Sequence, residues 1–226
     1  MIKYIEGTVF NQNVDAIVNT INVVGVMGAG LALEFSLRYP DMFEDYKKKC
    51  KSKAITLGKV DYYKAADVTI VNFPTKGHFK YPSKIEWIDA ALKDFVSTYK
   101  SMNIKSVAFP RLGTTNGGLD WKDVQLVMEK HLSKIDIPVL ICLDTAQAEG
   151  LEKKMVDKFN STDFTSLSLS LKLNQKQREA LENAKPIKRF WKIKDLDGIG
   201  IVCYTKLFEY CKENATASNV QMSLFD

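Results

Sequence analysis

Hydrophobic residues along the chain fall into short uninterrupted runs, separated by segments in which they recur every three or four positions. The uninterrupted runs predict buried strands over residues 16–18, 68–71, 106–109 and 138–143. The periodic segments predict helices over residues 30–39, from Ser83 through Phe95, and over about 120–132. Strands that alternate with helices predict a layered α/β fold with a mixed, mainly parallel central sheet, whose ligand-binding loops follow the carboxyl ends of the strands.

Two helix ends carry local signals. Pro40 follows the first predicted helix and is expected to end it. Ser83 and Glu86 have the spacing of a capping box, so Ser83 is predicted to cap a helix with the apolar face Ile85, Ile88, Leu92 and Phe95.

The composition changes to Ser, Thr and Asn between residues 160 and 170, which indicates a linker or an edge strand. We therefore predict a main domain over 1–160, a linker or edge segment over 161–171, a small C-terminal appendage over 172–214, and a flexible tail over 215–226. In the appendage we expect a helix over 174–184, a short strand over 189–193 forming a wing, a turn at Asp197-Gly198, and a helix over 204–212.

Composition narrows the class of protein. The chain has 226 residues, of which 46% are hydrophobic and 26% charged, so it is not a disordered chain. It contains no apolar stretch of about 20 residues that could span a bilayer, and its first residues do not resemble a signal peptide. Its four cysteines form no CxxC pair, so neither a metal site nor a disulfide framework is indicated. We expect a cytoplasmic protein that does not associate with a membrane.

The net charge of +5 is concentrated near the C-terminus, where residues 172–214 hold 10 basic and 6 acidic side chains. This imbalance indicates an anionic partner. Five basic residues cluster within ten positions, and they would either bind nucleic-acid phosphates or form a solvated face: Lys185, Lys188, Arg189, Lys192 and Lys194.

Two glycine-containing loops, residues 19–30 and 109–119, each follow a predicted strand and precede a predicted helix. Glycine lets backbone N–H groups approach a ligand oxygen, and a helix N-terminus favours an anion. For one loop alone, a tight turn without a ligand is an equally good interpretation. Two such loops at one edge of the sheet favour a diphosphate, although their spacing matches neither the dinucleotide fingerprint nor the P-loop.

Together with the sequence Asp15-Ala16-Ile17-Val18-Asn19, these loops resemble those of macrodomains, the ADP-ribose-binding family, over roughly residues 1–150. Residues 25–30, 72–80 and 117–121 are most similar to DNA ADP-ribosyl glycohydrolase antitoxins of the DarT/DarG type, which remove ADP-ribose from thymine bases in single-stranded DNA. The resemblance implies a three-layer macrodomain fold and hydrolysis of the N-glycosidic bond between ADP-ribose and a nucleobase, without metal or cofactor. It also implies ADP-ribose, ADP-ribosylated single-stranded DNA and a cognate ADP-ribosyltransferase toxin as partners.

The resemblance further implies the site residues. Lys76 matches the catalytic lysine, and Asn22 would lie at the distal ribose; from the residues alone, Lys76 is equally a solvated surface lysine and Asn22 a turn former. His78, Phe79 and Lys80 are candidates for substrate contact, and Phe79 with Tyr81 could stack on a nucleobase. The remaining ligand-binding residues are Thr8, Val9, Asn19, Gly25, Val26, Met27, Gly28, Ala29, Gly30, Pro74, Thr75, Gly113, Thr114, Thr115, Asn116, Gly117, Gly118 and Leu119.

The chemistry expected of Lys76 has two forms. A lysine in a half-dry cleft can lose its proton and attack C1″ of the distal ribose, or it can stay charged and stabilise the departing base. Two residues depart from the family pattern. Thr8 stands where macrodomains usually carry an Asp that accepts from adenine N6, so adenine selection should be weaker. Gly117 stands where human-type lysine-dependent hydrolases carry an Asp, which favours release from a base over release from protein glutamate.

Two other functions stay open at this stage: a non-catalytic ADP-ribose reader, and a hydrolase of ADP-ribosylated protein or of free ADP-ribose derivatives. Replacing Lys76 separates the enzymes from the reader. Among the remaining candidates, His131 is expected to be a surface or packing residue, and the aromatic residues Trp87, Trp121 and Trp191 are expected to pack.

The last residues carry one further motif. Gln221-Met222-Ser223-Leu224-Phe225 resembles the short peptide by which bacterial replication and repair proteins bind the sliding clamp. A frayed terminus that happens to end in Leu-Phe explains it equally well.

Overall fold

The computed structural model describes the backbone of residues 1–222 and the side chains of residues 1–215. The chain divides into two compact units, Met1–Thr145 and Ala146–Asp226. Within the described residues, no helix combines the length and the apolar character needed to cross a membrane.

A six-stranded sheet forms the centre of the first unit. Its strands are β1 (Ile2–Ile5), β2 (Ala16–Asn22), β3 (Asp61–Lys64), β4 (Thr69–Lys76), β5 (Val107–Pro110) and β6 (Val139–Cys142). The order across the sheet is β1-β6-β5-β2-β4-β3, and every described pair is parallel except β3 with β4. The predicted mixed, mainly parallel sheet is confirmed. β2 lies between β5 and β4, so its carboxyl end has a neighbouring strand end on each side.

Four α-helices cover the two faces of this sheet, which gives the predicted three layers. They are α1 (Gly30–Arg38), α2 (Pro40–Lys51), α3 (Ile85–Thr98) and α4 (Trp121–Leu132). The alternation of side chains along β2 shows why both faces need a cover: Ala16 and Val18 pack with α3 and α4, whereas Ile17 and Ile21 pack with α1 and α2.

Two predicted helix signals act differently from the expectation. Pro40 does follow the end of α1, but it also begins α2, where its missing N–H costs nothing. The capping box at Ser83 is wrong, because Lys84 is the N-cap of α3 and makes no side-chain cap. Ser83 is held away from the helix end because its N–H donates to the carbonyl of Gly117 at 2.9 Å.

The second unit contains α5 (Gly150–Ser161), α6 (Gln175–Asn183), a 3-10 helix over Phe190–Asp195, and α7 (Ile201–Met222). Its core contains a chain of aromatic contacts, in which the Phe159 ring lies 4.9 Å from that of Phe164 and 6.4 Å from that of Phe190, centroid to centroid. The ring of Phe190 in turn lies 5.8 Å from that of Phe208. Because α5 supplies Phe159 to this core, it belongs to the second unit and not to the main domain predicted over 1–160.

Three further expectations for this unit need correction. Residues 189–193 do not form a strand; Phe190 and Ile193 turn inward from a 3-10 helix, and Trp191 is 40% exposed and not a packing residue. The segment 161–171 lies inside the second unit, so it does not link two domains. The predicted helix over 204–212 is the middle of α7, which continues to Met222 through part of the segment expected to be flexible. The side chains of Gln221 to Phe225 lie outside the described residues.

Candidate active site

Three polar features meet where β2, β4 and β5 end. In the structure, the first glycine loop comprises residues 23–29, between β2 and α1, and the second comprises residues 111–120, between β5 and α4. Lys76 is the last residue of β4. Since β2 is parallel to both neighbours, these three carboxyl ends share one edge of the sheet. The register also pairs Asn22 with Lys76, after an irregularity between Ile21 and Asn22.

The side chain of Asn22 organises the first glycine loop. Its Oδ1 accepts hydrogen bonds from the N–H groups of Val24 at 3.0 Å and Val26 at 3.4 Å, and its Nδ2 donates to the Val26 carbonyl at 2.5 Å. Burial raises the pKa of Tyr46, whose hydroxyl therefore stays protonated and donates to the Asn22 carbonyl at 2.7 Å. Asn22 thus makes the hydrogen bonds of a turn former, the alternative role recognised from the sequence.

The first loop leads to a helix end that is free to bind an anion. Ala29 is the N-cap of α1 and has no side chain that could cap it, and the first turn of α1 carries no acidic residue. Among the described residues, the backbone N–H groups of residues 27–30 have no acceptor. A helix N-terminus with unsatisfied donors attracts negative charge. These donors fit a phosphate group.

The second loop is a tight double turn. Gly113 and Gly118 have left-handed backbone angles, with φ of 66° and 74°. The turn closes through hydrogen bonds from Gly118 N to the Thr114 carbonyl at 3.0 Å and from Leu119 N to the Gly113 carbonyl at 3.1 Å. Within the described part of the chain, the N–H groups of residues 114–117 have no acceptor. They form the second row of backbone donors.

The helix after the second loop contributes differently from the expectation. Asp120 is the N-cap of α4, and its carboxylate accepts from Lys122 N at 2.8 Å. Asp123 adds a second negative charge in the first turn. The N-terminus of α4 therefore carries its own cap and two negative charges, so it is less suited to an anion than the N–H groups of residues 114–117.

The two loops approach each other closely, and Lys76 joins them. Gly30 has a φ of 56°, a left-handed backbone angle that favours glycine, and a Cβ added there would lie 2.5 Å from Nδ2 at the end of the Asn116 side chain. Lys76 Nζ donates to the carbonyl of Asn116 at 2.7 Å, while the Lys76 carbonyl accepts from Val23 N at 3.1 Å. The lysine therefore lies between the two rows of donors.

The environment of Lys76 favours loss of its proton. The residue is half-buried, and this desolvation lowers the pKa of the ammonium. Its hydrogen-bond acceptors are the carbonyls of Phe79, at 3.1 Å, and Asn116. Among the described residues no carboxylate pairs with it, so no full negative charge stabilises the protonated form. This is the chemistry of an amine that can act as a nucleophile.

Three of the residues predicted to bind ligand are buried in the strands beneath the loops, Asn19, Pro74 and Thr75, and the side chain of Met27 is buried within the first loop. Asn19 Nδ2 donates to Oδ1 of Asn72 at 3.0 Å, and Asn72 in turn donates to Asp61 at 3.2 Å. These bonds tie β2 to β4 and β4 to β3. The side chains of this set position the strand ends, and the exposed parts of the loops are left to meet a ligand.

Thr8 and Val9 follow β1, where Thr8 is the N-cap of a short 3-10 helix over Val9–Asn11 that contacts β2 and β5. Val9 is buried, whereas Thr8 is half-buried and its hydroxyl caps no helix. The carbonyl of Thr8 accepts from Gln12 Nε2 at 2.9 Å. Weaker selection of adenine, expected from a hydroxyl in place of a carboxylate at position 8, stays a prediction.

The candidates for substrate contact lie directly after Lys76. The rings of His78 and Phe79 are stacked, with centroids 4.4 Å apart and an interplanar angle of 26°. The other histidine, His131, is buried in α4 and hydrogen-bonded to Asp89 at 2.9 Å, which confirms its packing role. Trp87 and Trp121 are half-buried.

Two residues support the site in roles that had no signal in the sequence. Tyr46 holds Asn22 from α2, a helix that the hydrophobic pattern did not predict. Ser83 is 5% exposed, and its N–H binds Gly117 of the second loop. A Cβ added at Gly117 would lie 2.2 Å from the Gly113 carbonyl oxygen and 2.4 Å from Ser83 Oγ, which explains the glycine. Both contacts join residues far apart in sequence.

The fold and the paired loops define a macrodomain, and comparison with known proteins supports this assignment. The family model for the Macro domain matches residues 18–128. The solved macrodomain of Mycobacterium tuberculosis DarG is 44% identical, with a TM-score of 0.61; the match covers 63% of this chain and 97% of that one. The chain belongs to the macrodomain family.

Two relatives have named activities. A DNA ADP-ribosyl glycohydrolase from Mycobacterium tuberculosis is 47% identical over 129 residues, which are 55% of this chain and 37% of the relative. A DNA ADP-ribosyl transferase–DNA ADP-ribosyl glycohydrolase fusion protein from Thermosipho africanus is 34% identical over 182 residues, which are 72% of this chain and 45% of the relative. The Thermosipho africanus DarTG structure in complex with ADP-ribose has a TM-score of 0.61 at 35% identity, over 63% of this chain and 41% of that one. The chain thus spans less than half the length of these curated relatives.

Proposed function

We propose that the chain binds ADP-ribose and hydrolyses the N-glycosidic bond that joins ADP-ribose to a nucleobase of single-stranded DNA. The observation that carries this proposal is the position of Lys76, a half-buried lysine that hydrogen-bonds to both glycine loops through its Nζ and its carbonyl. Relatives that share the fold are DNA ADP-ribosyl glycohydrolases, and one was solved with ADP-ribose. Geometry and relatives support the same reaction.

Binding rests on backbone donors. The diphosphate lies between the N–H groups of residues 27–30 and those of residues 114–117, and the positive end of α1 adds to the attraction. Backbone donors held in a tight loop need no side-chain ordering when the ligand arrives. Asn22 acts on the reaction as a positioning residue, since its amide fixes the loop that holds the distal ribose beside Lys76.

Lys76 breaks the glycosidic bond. The Nζ lone pair forms a bond to C1″ of the distal ribose while the bond from C1″ to the base nitrogen breaks. The base leaves with the electron pair of that bond and gains one proton, and Nζ loses one. Water then replaces Nζ at C1″, which releases ADP-ribose and restores the amine. One water molecule is consumed in each turnover.

The two alternatives fit the site less well. A reader that only binds ADP-ribose has no use for a half-buried lysine whose pKa is lowered beside the loops. A lysine–aspartate pair of the kind implied for hydrolases of protein ADP-ribose would need an Asp in place of Gly117. A Cβ there would overlap the Gly113 carbonyl oxygen at 2.2 Å, so this loop has no room for it.

A comparison of three substrates tests the proposal. The intact chain is incubated with ADP-ribosylated single-stranded DNA, with a protein carrying ADP-ribosyl glutamate, and with ADP-ribose 1″-phosphate, and the released ADP-ribose is measured by mass spectrometry. We expect release from the DNA alone, and none with the Lys76→Ala variant. Release of ADP-ribose from the protein or from ADP-ribose 1″-phosphate, but not from DNA, would show that those compounds and not DNA are the substrates. Binding of ADP-ribose without release from any substrate would make the chain a reader.

We further propose a cognate ADP-ribosyltransferase toxin as the source of the modified DNA. The support is the Thermosipho africanus relative, which is a fusion of a DNA ADP-ribosyl transferase and a DNA ADP-ribosyl glycohydrolase. A cytoplasmic location is part of this proposal, and the four cysteines, all free, suit a reducing compartment. Co-expression with such a transferase should restore growth of the host, whereas co-expression of the Lys76→Ala variant should not.

We also propose that the C-terminal peptide recruits the enzyme to replicating DNA through the sliding clamp. The support is the sequence alone, in which Gln221 precedes the apolar pair Leu224-Phe225. A purified bacterial clamp should bind the intact chain and not a Leu224→Ala, Phe225→Ala double variant. Equal binding of both proteins would contradict this.

A further inference from the structure

We infer that the turn after Lys76 is a base-stacking strip for the nucleotides that flank the modified one. The strip consists of His78, Phe79, Lys80 and Tyr81. This inference rests on the proposed function and specifies its substrate: a modified base within a strand, as opposed to a modified nucleotide alone.

The aromatic rings of the strip face solvent. Phe79 is 44% exposed and Tyr81 is 66% exposed, whereas Phe73, three residues before Lys76, is fully buried. The His78 ring stacks on Phe79 at 4.4 Å and lies 5.5 Å from the Tyr81 ring, so the three rings form one continuous aromatic surface. Exposed rings that pack mainly on each other have no role in the core, and they offer flat faces to a base.

The strip is fixed to the catalytic lysine. Lys76 Nζ donates to the Phe79 carbonyl at 3.1 Å. The turn is closed by the hydrogen bond from Tyr81 N to the His78 carbonyl at 3.2 Å and by the bond from Lys80 N to His78 Nδ1 at 3.2 Å. The rings are therefore held beside the group that meets C1″, where the base leaves and where the neighbouring bases of a strand must also lie.

Positively charged side chains lie along the strip and can attract the phosphates of a nucleic-acid backbone. Lys80 Nζ lies 5.9 Å from the centroid of the Phe79 ring, and the next lysine, Lys84, lies 5.4 Å from that of Trp87. Alternation of basic and aromatic side chains is the pattern by which proteins bind single-stranded nucleic acid without reading its sequence.

Two acidic residues lie beyond the end of the strip that is farther from Lys76. Beyond Lys84, the hollow between α3 and α4 is lined by Glu86 and Asp123 together with Lys84 itself and apolar side chains of both helices. Its two carboxylates repel phosphates, so we place the end of the strip at Lys84. With two exposed rings available, the strip holds about two bases.

The test uses the intact chain and two substrates, the ADP-ribosylated nucleotide alone and the same nucleotide within a single strand of about ten nucleotides. The quantity measured is the ratio of kcat/KM for the strand to kcat/KM for the nucleotide. Tyr81→Ala should lower this ratio about tenfold, in line with the loss of one stacked base, while Tyr81→Phe should keep it within about twofold. Lys93→Ala, an exposed lysine further along α3, is the charge control and should leave the ratio unchanged.

A second measurement separates this inference from the proposed function. Binding of an unmodified strand to the Lys76→Ala variant is followed by fluorescence anisotropy, with and without Tyr81→Ala. If Tyr81→Ala changes neither the ratio nor this affinity, the strip is refuted while hydrolysis of modified DNA stands. If the chain releases no ADP-ribose from DNA but Tyr81→Ala still weakens strand binding, the proposed function fails and the strip stands.

Discussion

Gly28 offers a direct test of whether the first glycine loop exists to bind a ligand. Its φ is not left-handed, it is exposed, and a Cβ added there meets nothing closer than Val26 Cγ1 at 3.7 Å, an ordinary van der Waals contact. The protein itself therefore has no need of glycine at this position. Gly28→Val should change the free energy of unfolding by less than about 1 kcal/mol, a shift in Tm of no more than about 4 °C for a chain of this size.

The same substitution should strongly weaken binding of ADP-ribose. The side chain would lie among the N–H groups of residues 27–30, and it would keep the diphosphate away from them. A hydrogen bond to a charged group contributes about 1.5–3 kcal/mol, so the loss of two weakens binding by roughly 100-fold or more. Isothermal titration with ADP-ribose measures the affinity, and thermal unfolding without ligand measures the stability.

Two other glycines serve as controls. A Cβ added at Gly200, in the second unit, meets no atom within 4 Å, so Gly200→Val should alter neither the affinity for ADP-ribose nor the stability. Gly117→Ala should lower the stability, because its Cβ would lie 2.2 Å from the Gly113 carbonyl oxygen. The reasoning is refuted if Gly28→Val binds ADP-ribose as tightly as the unaltered chain, or if it unfolds the protein.

Two more predictions concern the second unit. Arg189 Nε donates to Glu152 at 2.9 Å, and their side chains are only 13% and 9% exposed. Arg189→Ala should therefore lower the free energy of unfolding in urea by about 3–5 kcal/mol. Lys188→Ala, at an exposed lysine, is the control, and equal urea midpoints for the two variants would contradict the prediction. Truncation after Thr145, measured by calorimetric titration, should keep the affinity for ADP-ribose. Truncation after residue 171 should give a protein that aggregates on size-exclusion chromatography, because α5 then lacks α7 to pack against. Loss of ADP-ribose binding by residues 1–145 would contradict the first expectation.

The hydrophobic pattern predicted the central strands of the sheet but not its two edge strands, β1 and β3. Buried runs such as Val139–Cys142 are apolar because both faces of the sheet are covered. β1 and β3 carry charged residues, Lys3 in one and Asp61 and Lys64 in the other, so neither forms the uninterrupted apolar run that marks a buried strand. α2 was missed for a similar reason, since Met42 and Tyr46 are its only fully buried residues.

The candidate site was predictable where it depends on local sequence. A glycine loop after a strand, and a lysine at the end of a strand, can be recognised within a few residues, as Lys76 was. The contacts that hold the site join distant residues, such as Tyr46 with Asn22 and Ser83 with Gly117, and no local pattern encodes them.

The basic cluster of the appendage shows what a count of charges leaves out. Lys185 donates to the Thr162 carbonyl and pairs with Glu182, and Arg189 pairs with Glu152, so these two charges stabilise the second unit. Lys188 and Lys192 are exposed. A count of positive charges cannot separate cations with internal partners from those that face solvent, and the predicted phosphate-binding cluster is smaller than its sequence suggested.

The central claim is that Lys76 acts as an amine on the glycosidic bond. The most direct measurement is the single-turnover rate of ADP-ribose release from modified single-stranded DNA as a function of pH, for the unaltered chain, Lys76→Ala and Lys76→Arg. Because the neutral amine reacts and its pKa is lowered, the rate should rise with pH and level off below the ordinary lysine value of 10.5. Both variants should bind ADP-ribose within a few fold and release none, since Arg keeps its charge and cannot attack. A Lys76→Arg variant that releases ADP-ribose at the unaltered rate would contradict the account.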